Sequence, residues 1–273
     1  MENMNNNYWE IFHDEVMNGQ FNRDGFIVLD FNPVPVIDAL LELFGPVAGY
    51  YHHSYQATVL LNDLAHRKLM HEKIRDIAAD IFLPYLKSYR SIYYGFSIKN
   101  AQSTDNGLQL HQDLTSADPG GRPSLGLWCP LVPVDLHNGC LQVVPGSHIN
   151  NYPRALFSHY IPQMDEQELC DHVLTLPMEP GQLLLFNQGL VHASPANQSN
   201  AIRPAITSVI LPEESPVFFF YRNEETDPVT IDGYIVEEDF YLYHNLIDKP
   251  EHGQLVASME EKLPFYQSFS QKS

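Results

Sequence analysis

A change of rhythm near Tyr89 most constrains what this chain can fold into. From Ser91 to Pro212 the sequence is a succession of short β-rich runs, SIYYGFSI, GLQLHQD, SLGLWCPLVPV, GCLQVVPGS, GQLLLFNQ and AITSVILP, separated by turn residues. Each run can bury only what a neighbouring strand or layer covers, so many such runs in series close into an antiparallel sandwich or barrel. Asn138-Gly139 and Glu179-Pro180-Gly181 read as tight turns between runs. Upstream the pattern is helical. Tyr8 to Phe44 mixes short helical patterns with a strand-like GFIVLDF, and Pro33 and Pro35 stand where a helix through Leu40-Leu41 would begin. From about Leu64 to Leu86, Ile74, Ile77, Ala78, Ile81, Phe82 and Tyr85 recur at helical spacing, with Lys73, Arg75, Asp76 and Asp80 on the other side. This predicts a helix that packs one face against a sheet. The expected architecture is mainly β with flanking helices in one domain over residues 1–273. Its helical N-terminal part covers about 1–90, its β-core about 91–215, and a C-terminal segment of extra strands or cover 216–273.

Charge excludes some functions. Lys and Arg total 15 against 34 Asp and Glu, a formal net charge of -19, so nucleic acid and anionic membranes would be repelled over most of the surface. The same balance suits a cationic or zwitterionic small molecule, although an acidic surface also simply serves solubility. The three cysteines, Cys129, Cys140 and Cys170, show no CxxC spacing and suggest neither disulfides nor a zinc ribbon, so a reducing cytoplasm is the expected compartment. MENMNNNYWEIFHDE has no basic-then-apolar leader, and no stretch reaches a membrane span. The sequence is silent on oligomeric state.

The sharpest chemical feature is His111-Gln112-Asp113. On a strand, residues two apart share a face, so an imidazole and a carboxylate can converge on one metal. His192, in FNQGLVHAS, follows a strongly apolar run and precedes a loop, where a late strand could deliver a third ligand. Two histidines and one carboxylate on one face of an octahedron form a non-haem iron(II) site with open positions. Eleven residues beyond His192 stands Arg203, and Ser194 lies two beyond the same histidine. A guanidinium fork with a hydroxyl beside it matches a carboxylate, which a dicarboxylic keto acid needs at its distal end.

With these residues in view, the sequence resembles the phytanoyl-CoA dioxygenase family of iron(II)/2-oxoglutarate oxygenases, which includes ectoine hydroxylases. The likeness covers roughly Tyr94 to Leu211: H-Q-D at His111 to Asp113, Trp128, N-G-C-L-Q-V-V-P-G-S-H from Asn138 to His148, and H-A-S with an arginine from His192 to Arg203. It implies a double-stranded β-helix, a cupin-like jelly-roll barrel. His111, Asp113 and His192 carry over as iron ligands, Arg203 and Ser194 as anchors of the 2-oxoglutarate distal carboxylate, and Gln112 and Trp128 as pocket neighbours. The implied co-substrates are 2-oxoglutarate and O2, with succinate and CO2 released as an unactivated C–H bond is hydroxylated. Asp113 is present where related halogenases carry a small residue, which favours hydroxylation; desaturation, ring closure and epimerisation stay open.

Other readings compete. His148 in PGSH sits after Pro145-Gly146, on a turn, and reads as structural. His52-His53 face opposite ways if extended and read as aromatic packing near a pocket mouth, with Tyr50, Tyr51 and Tyr55. Phe186 reads as core, Trp128 as core or pocket, Arg222 as pocket lining or ion pair, and Glu213-Glu214 as a solvated turn. The expected substrate is a small polar or cationic metabolite, such as an amino-acid derivative or a guanidinium natural product, since HHSYQA and NEETD are not basic. The alternatives are an acyl-CoA hydroxylase of the same family, a non-catalytic cupin-like metal sensor, and a zinc hydrolase on the same barrel.

Overall fold

A computed structural model of the chain describes residues 8–30, 34–149, 152–156 and 166–261. In chain order its elements are α1 (Glu15–Asp24), β1 (Phe26–Asp30), α2 (Val34–Val47), β2 (Tyr55–Ala57), α3 (Leu64–Phe82), β3 (Tyr89–Lys99), β4 (Leu108–His111), β5 (Leu125–Pro130) and β6 (Leu141–Val143). There follow α4 (Glu166–Asp171), β7 (Leu174–Leu176), β8 (Gln182–Asn187), β9 (His192–Ser194), β10 (Arg203–Pro212), β11 (Val217–Asn223), β12 (Thr230–Val236), α5 (Phe240–Tyr243) and β13 (Gln254–Glu260). Pairing is antiparallel throughout. A six-stranded sheet runs β1-β8-β5-β10-β3-β2, a four-stranded sheet β4-β9-β6-β7, and a three-stranded sheet β11-β12-β13. The fold is the jelly-roll barrel, with helices flanking the larger sheet.

Strand alternation divides the interior in two. On the outer face of the larger sheet, Ile27, Phe96, Ile98, Leu127, Cys129, Leu183, Leu185, Ile206 and Ile210 pack against Leu40 and Phe44 of α2 and Ile74, Ala78 and Phe82 of α3. The residues between them point the other way. Phe26, Trp128, Leu184, Phe186 and Ala205 join Cys140, Leu141 and Val143 in the barrel interior. Trp128 and Phe186 are therefore both inside the barrel, and only their neighbours face the helices.

Several local expectations can be placed. α1 is capped by Asp14, whose carboxylate accepts from the Val16 and Met17 amides, and ends at Gly25 with φ 82°. A Cβ there would lie 2.4 Å from His148 Nδ1; His148 is buried against Phe21, a structural position. Pro35 lies in the first turn of α2, and Pro33 lies outside the described residues. α3 stops at Phe82, and Leu83–Tyr85 forms a 3-10 turn, because Pro84 has no N–H to continue the helix. Gly139 and Gly181 occupy the left-handed region at φ 85° and 93°, as the two turns require. The segment after residue 216 supplies β11 to β13, while 262–273 lie outside the described residues. Among the described residues no helix is long and apolar enough to cross a membrane.

Candidate active site

The site is assembled on the four-stranded sheet, where β4 ends and β9 begins. His111 closes β4 and His192 opens β9, and these two residues stand opposite each other in the antiparallel pair. Asp113 lies just past β4, its backbone N–H held by the Gln188 carbonyl at 3.0 Å. The ligand atoms of His111, Asp113 and His192 lie within 4.8 Å of one another. Asp113 Oδ1 is 3.7 Å from His192 Nε2 and 4.0 Å from His111 Nε2. In both imidazoles Nδ1 is occupied by a backbone carbonyl, Gln109 O at 2.7 Å and Leu190 O at 2.9 Å. Each ring thus donates from Nδ1 and turns Nε2 inward, the tautomer a metal ligand needs. Desolvation, helped by the neighbouring His192, pulls His111 down to about 4 against the opposite pull of Asp113, so the ring is neutral near pH 7. Two imidazoles offering Nε2 and one carboxylate suit a divalent iron better than a thiolate-seeking metal.

The second half of the site is cationic. Arg203 opens β10 and is buried at 2% exposure. Its guanidinium donates from one terminal nitrogen to Ser97 O at 3.2 Å, stacks 5.4 Å from the Trp128 ring centroid, and leaves Nε with no partner. Desolvation lowers it to about 10. A buried, incompletely satisfied guanidinium is costly unless an anion completes it, so the pocket fits the distal carboxylate of a keto diacid. Ser194 is buried beside this region, its hydroxyl donating to Gly139 O at 3.2 Å.

The other expectations divide. Gln112 donates to the Gly189 carbonyl, leaving its buried Oε1 unpartnered. His52 and His53 are exposed and line a surface cavity of about 450 Å³ together with Tyr50, Gln56 and Asp63. Arg222 is an ion-pair residue: Nε reaches Glu261 at 2.8 Å, and Glu224 is a second partner. Glu214 pairs with Arg122 at 2.7 Å.

Two residues, Lys99 and Arg154, were not singled out from the sequence, and Tyr55 was read only as aromatic packing near a pocket mouth. Lys99, at the end of β3, is fully buried, donating to Ser194 O at 2.7 Å and Pro195 O at 2.5 Å. Tyr55, on β2, lies within electrostatic reach of both Arg203 and Asp113, and burial raises its phenol. Arg154, buried, donates through Nε to the Asp113 carbonyl at 2.8 Å and through Nη1 to Tyr152 O at 2.7 Å. A lysine at a strand end reads as solvated, and Arg154 follows no periodic run, so neither gave a signal in the sequence.

Known proteins are similar in sequence and in fold. Residues 44–205, more than half of the chain, match the family described as Phytanoyl-CoA dioxygenase (PhyH). The chain is 26% identical over 237 residues to Dioxygenase lolE1 of Epichloe uncinata, covering 81% of each protein. Its fold is similar to that of the epimerase SnoN in complex with Fe3+, alpha ketoglutarate and nogalamycin RO, with TM-score 0.54 and 18% identity over 74% of this chain and 85% of that one. It is also similar to HygX from Streptomyces hygroscopicus with nickel and 2-oxoglutarate bound, with TM-score 0.54 and 15% identity over 78% and 91%. The chain belongs to the phytanoyl-CoA dioxygenase family and is a 2-oxoglutarate-dependent dioxygenase that uses iron.

Proposed function

We propose that this enzyme hydroxylates an unactivated C–H bond of a small polar or cationic metabolite, with His111, Asp113 and His192 holding iron(II) and Arg203 holding 2-oxoglutarate. The observation that carries the reading is the pairing of a three-ligand cluster with a buried guanidinium that lacks a full set of partners. A metal-binding sensor or a zinc hydrolase has no use for such a cation.

When bound, iron(II) and 2-oxoglutarate supply the oxidising chemistry, one oxygen atom of O2 going to succinate and the other to the new hydroxyl. The chain's own part is placement. His111 and His192 present Nε2 because their Nδ1 protons are tied to Gln109 and Leu190 carbonyls, and Asp113 completes the open-faced set. Arg203, backed by the Trp128 ring, takes the distal carboxylate, and Ser194 borders the same end. Tyr55 lies within electrostatic reach of both halves. Trp128 and Phe186, with the other apolar residues of the barrel interior, limit water.

The substrate class rests on charge. Arg90, Arg122 and Arg222 are each paired with a glutamate, Glu238, Glu214 and Glu261, in a chain of net charge -19. Cations already neutralised in this way are poor partners for coenzyme A phosphates. Two experiments test the reading. Anaerobic addition of iron(II) and 2-oxoglutarate together should give a visible charge-transfer band that neither gives alone. A succinate-release screen should then respond to free amines, amino-acid derivatives or guanidinium compounds. Turnover of acyl-CoA thioesters with none of free metabolites would overturn the substrate class; no band would overturn the site.

A further inference from the structure

We infer that Lys99 is a second cation of the co-substrate site, one that acts by charge, so that 2-oxoglutarate binds together with a proton taken up at Lys99. The inference rests on the placement of the co-substrate at Arg203 proposed above. Arg203 and Lys99 are direct partners in the β10–β3 register, and antiparallel partners send their side chains to the same face. Like charges directly opposite each other are unfavourable on any sheet. Here both are buried, at 2% and 0% exposure, and neither forms an ion pair among the described residues.

The surroundings offer Lys99 no compensation. Its ammonium uses two of three donors on the Ser194 and Pro195 carbonyls. On β2, Tyr55 is its register partner from the other side, and burial raises that phenol, keeping it neutral. Cys140, before β6, is held up at about 11 by burial and is neutral as well. The remaining neighbour is Arg203 itself. Desolvation first and Arg203 second pull Lys99 down to about 7. An arriving carboxylate reverses the balance by placing a negative charge beside both cations. By linkage, each unit by which that anion raises Lys99 makes the protonated site bind it roughly tenfold tighter than the neutral one.

The test compares two ligands on the anaerobic iron(II) protein: 2-oxoglutarate and its 5-methyl ester, which keeps the chelating end and loses the distal charge. Proton exchange is counted by calorimetry in buffers of different ionisation enthalpy. At pH 8 we expect 2-oxoglutarate to take up most of a proton more than the ester, and at pH 6 the difference should vanish. Lys99→Met should weaken 2-oxoglutarate roughly tenfold, leave the ester unchanged and abolish the difference in uptake. Equal uptake for the two ligands at pH 8, or a variant that weakens both equally, would reduce Lys99 to a structural strut and overturn the inference alone. If the variant does not fold, the wild-type proton count decides. Failure of both ligands to give the charge-transfer band would overturn the co-substrate placement as well.

Discussion

The imidazoles of His111 and His192 face each other across one register position of the β4–β9 pair, with ring centroids 4.2 Å apart. Two residues distant by 81 positions in sequence are thus fixed by strand pairing rather than by loop conformation, which is why the site survives on strands as short as three residues. The price of that closeness is mutual desolvation. Desolvation first, and the neighbouring His192 second, oppose a proton on His111.

The lowered His111 predicts a pH dependence of the metal-free protein. His111 is lowered from an ordinary histidine value near 6.5 to about 4, so the unfolded chain binds the extra proton between those limits. The contribution of His111 is fully present above about 6.5 and is lost as pH falls towards 4. Its side chain is 37% exposed, so solvent screening limits the effect to about 1–2 kcal/mol. Urea unfolding of the wild type and His111→Gln at pH 7.5 and pH 5 measures it. The variant should lose less stability over that interval; an equal loss in both would show that His111 carries no such coupling.

Arg203→Met should separate stability from function. Removing a buried cation that has no acid partner relieves desolvation, so the metal-free variant is expected to melt no lower than the wild type, and to gain up to about 1 kcal/mol. Affinity for 2-oxoglutarate should fall roughly 100-fold or more with the loss of a charge-assisted fork. Thermal melts and anaerobic titration of the charge-transfer band report the two effects. A large loss of stability with unchanged co-substrate affinity would place the guanidinium in the scaffold.

The sequence made the strands legible because period-two runs and turn residues agree over most of the chain from Ser91 to Pro212. The clustering of His111 and Asp113 was readable from strand spacing, while His192 was expected from its place at the start of a late strand and from the family likeness. Sheet order was not readable, since β5 sits between β8 and β10 through pairings with distant segments. The same non-locality hid Lys99. A lysine at a strand end reads as solvated, and only its register with Arg203 buries it. Tyr55 was read as aromatic packing near a pocket mouth, and its pairing with Lys99 brings it beside Arg203. The helix forecast to Leu86 overran because Pro84 was not weighed as a stop.

Trp128 is expected to matter through its face more than its bulk. The indole lies 5.4 Å from the Arg203 guanidinium in a desolvated setting, where a cation–π contact contributes about 1–2 kcal/mol. Trp128→Leu should therefore raise the 2-oxoglutarate concentration for half-saturation roughly tenfold, and Trp128→Phe by clearly less. Equal effects of the two substitutions on binding would point to packing volume alone.

Arg154 makes the last prediction. Its Nε–H donates to the carbonyl of Asp113 itself, and its Nη1 to Tyr152, so one buried guanidinium ties the ligand's backbone to the chain that follows the PGSH turn. Groups that hold a metal ligand in place typically contribute 10- to 100-fold to affinity. Arg154→Met should weaken iron(II) binding by about that factor while 2-oxoglutarate, tested at saturating iron, binds as before. Arg154→Lys, which can still reach one carbonyl with a charge, should recover part of the loss. Anaerobic iron titration checks both variants, and unchanged iron affinity in Arg154→Met, with the fold intact by circular dichroism, would remove Arg154 from the positioning of Asp113.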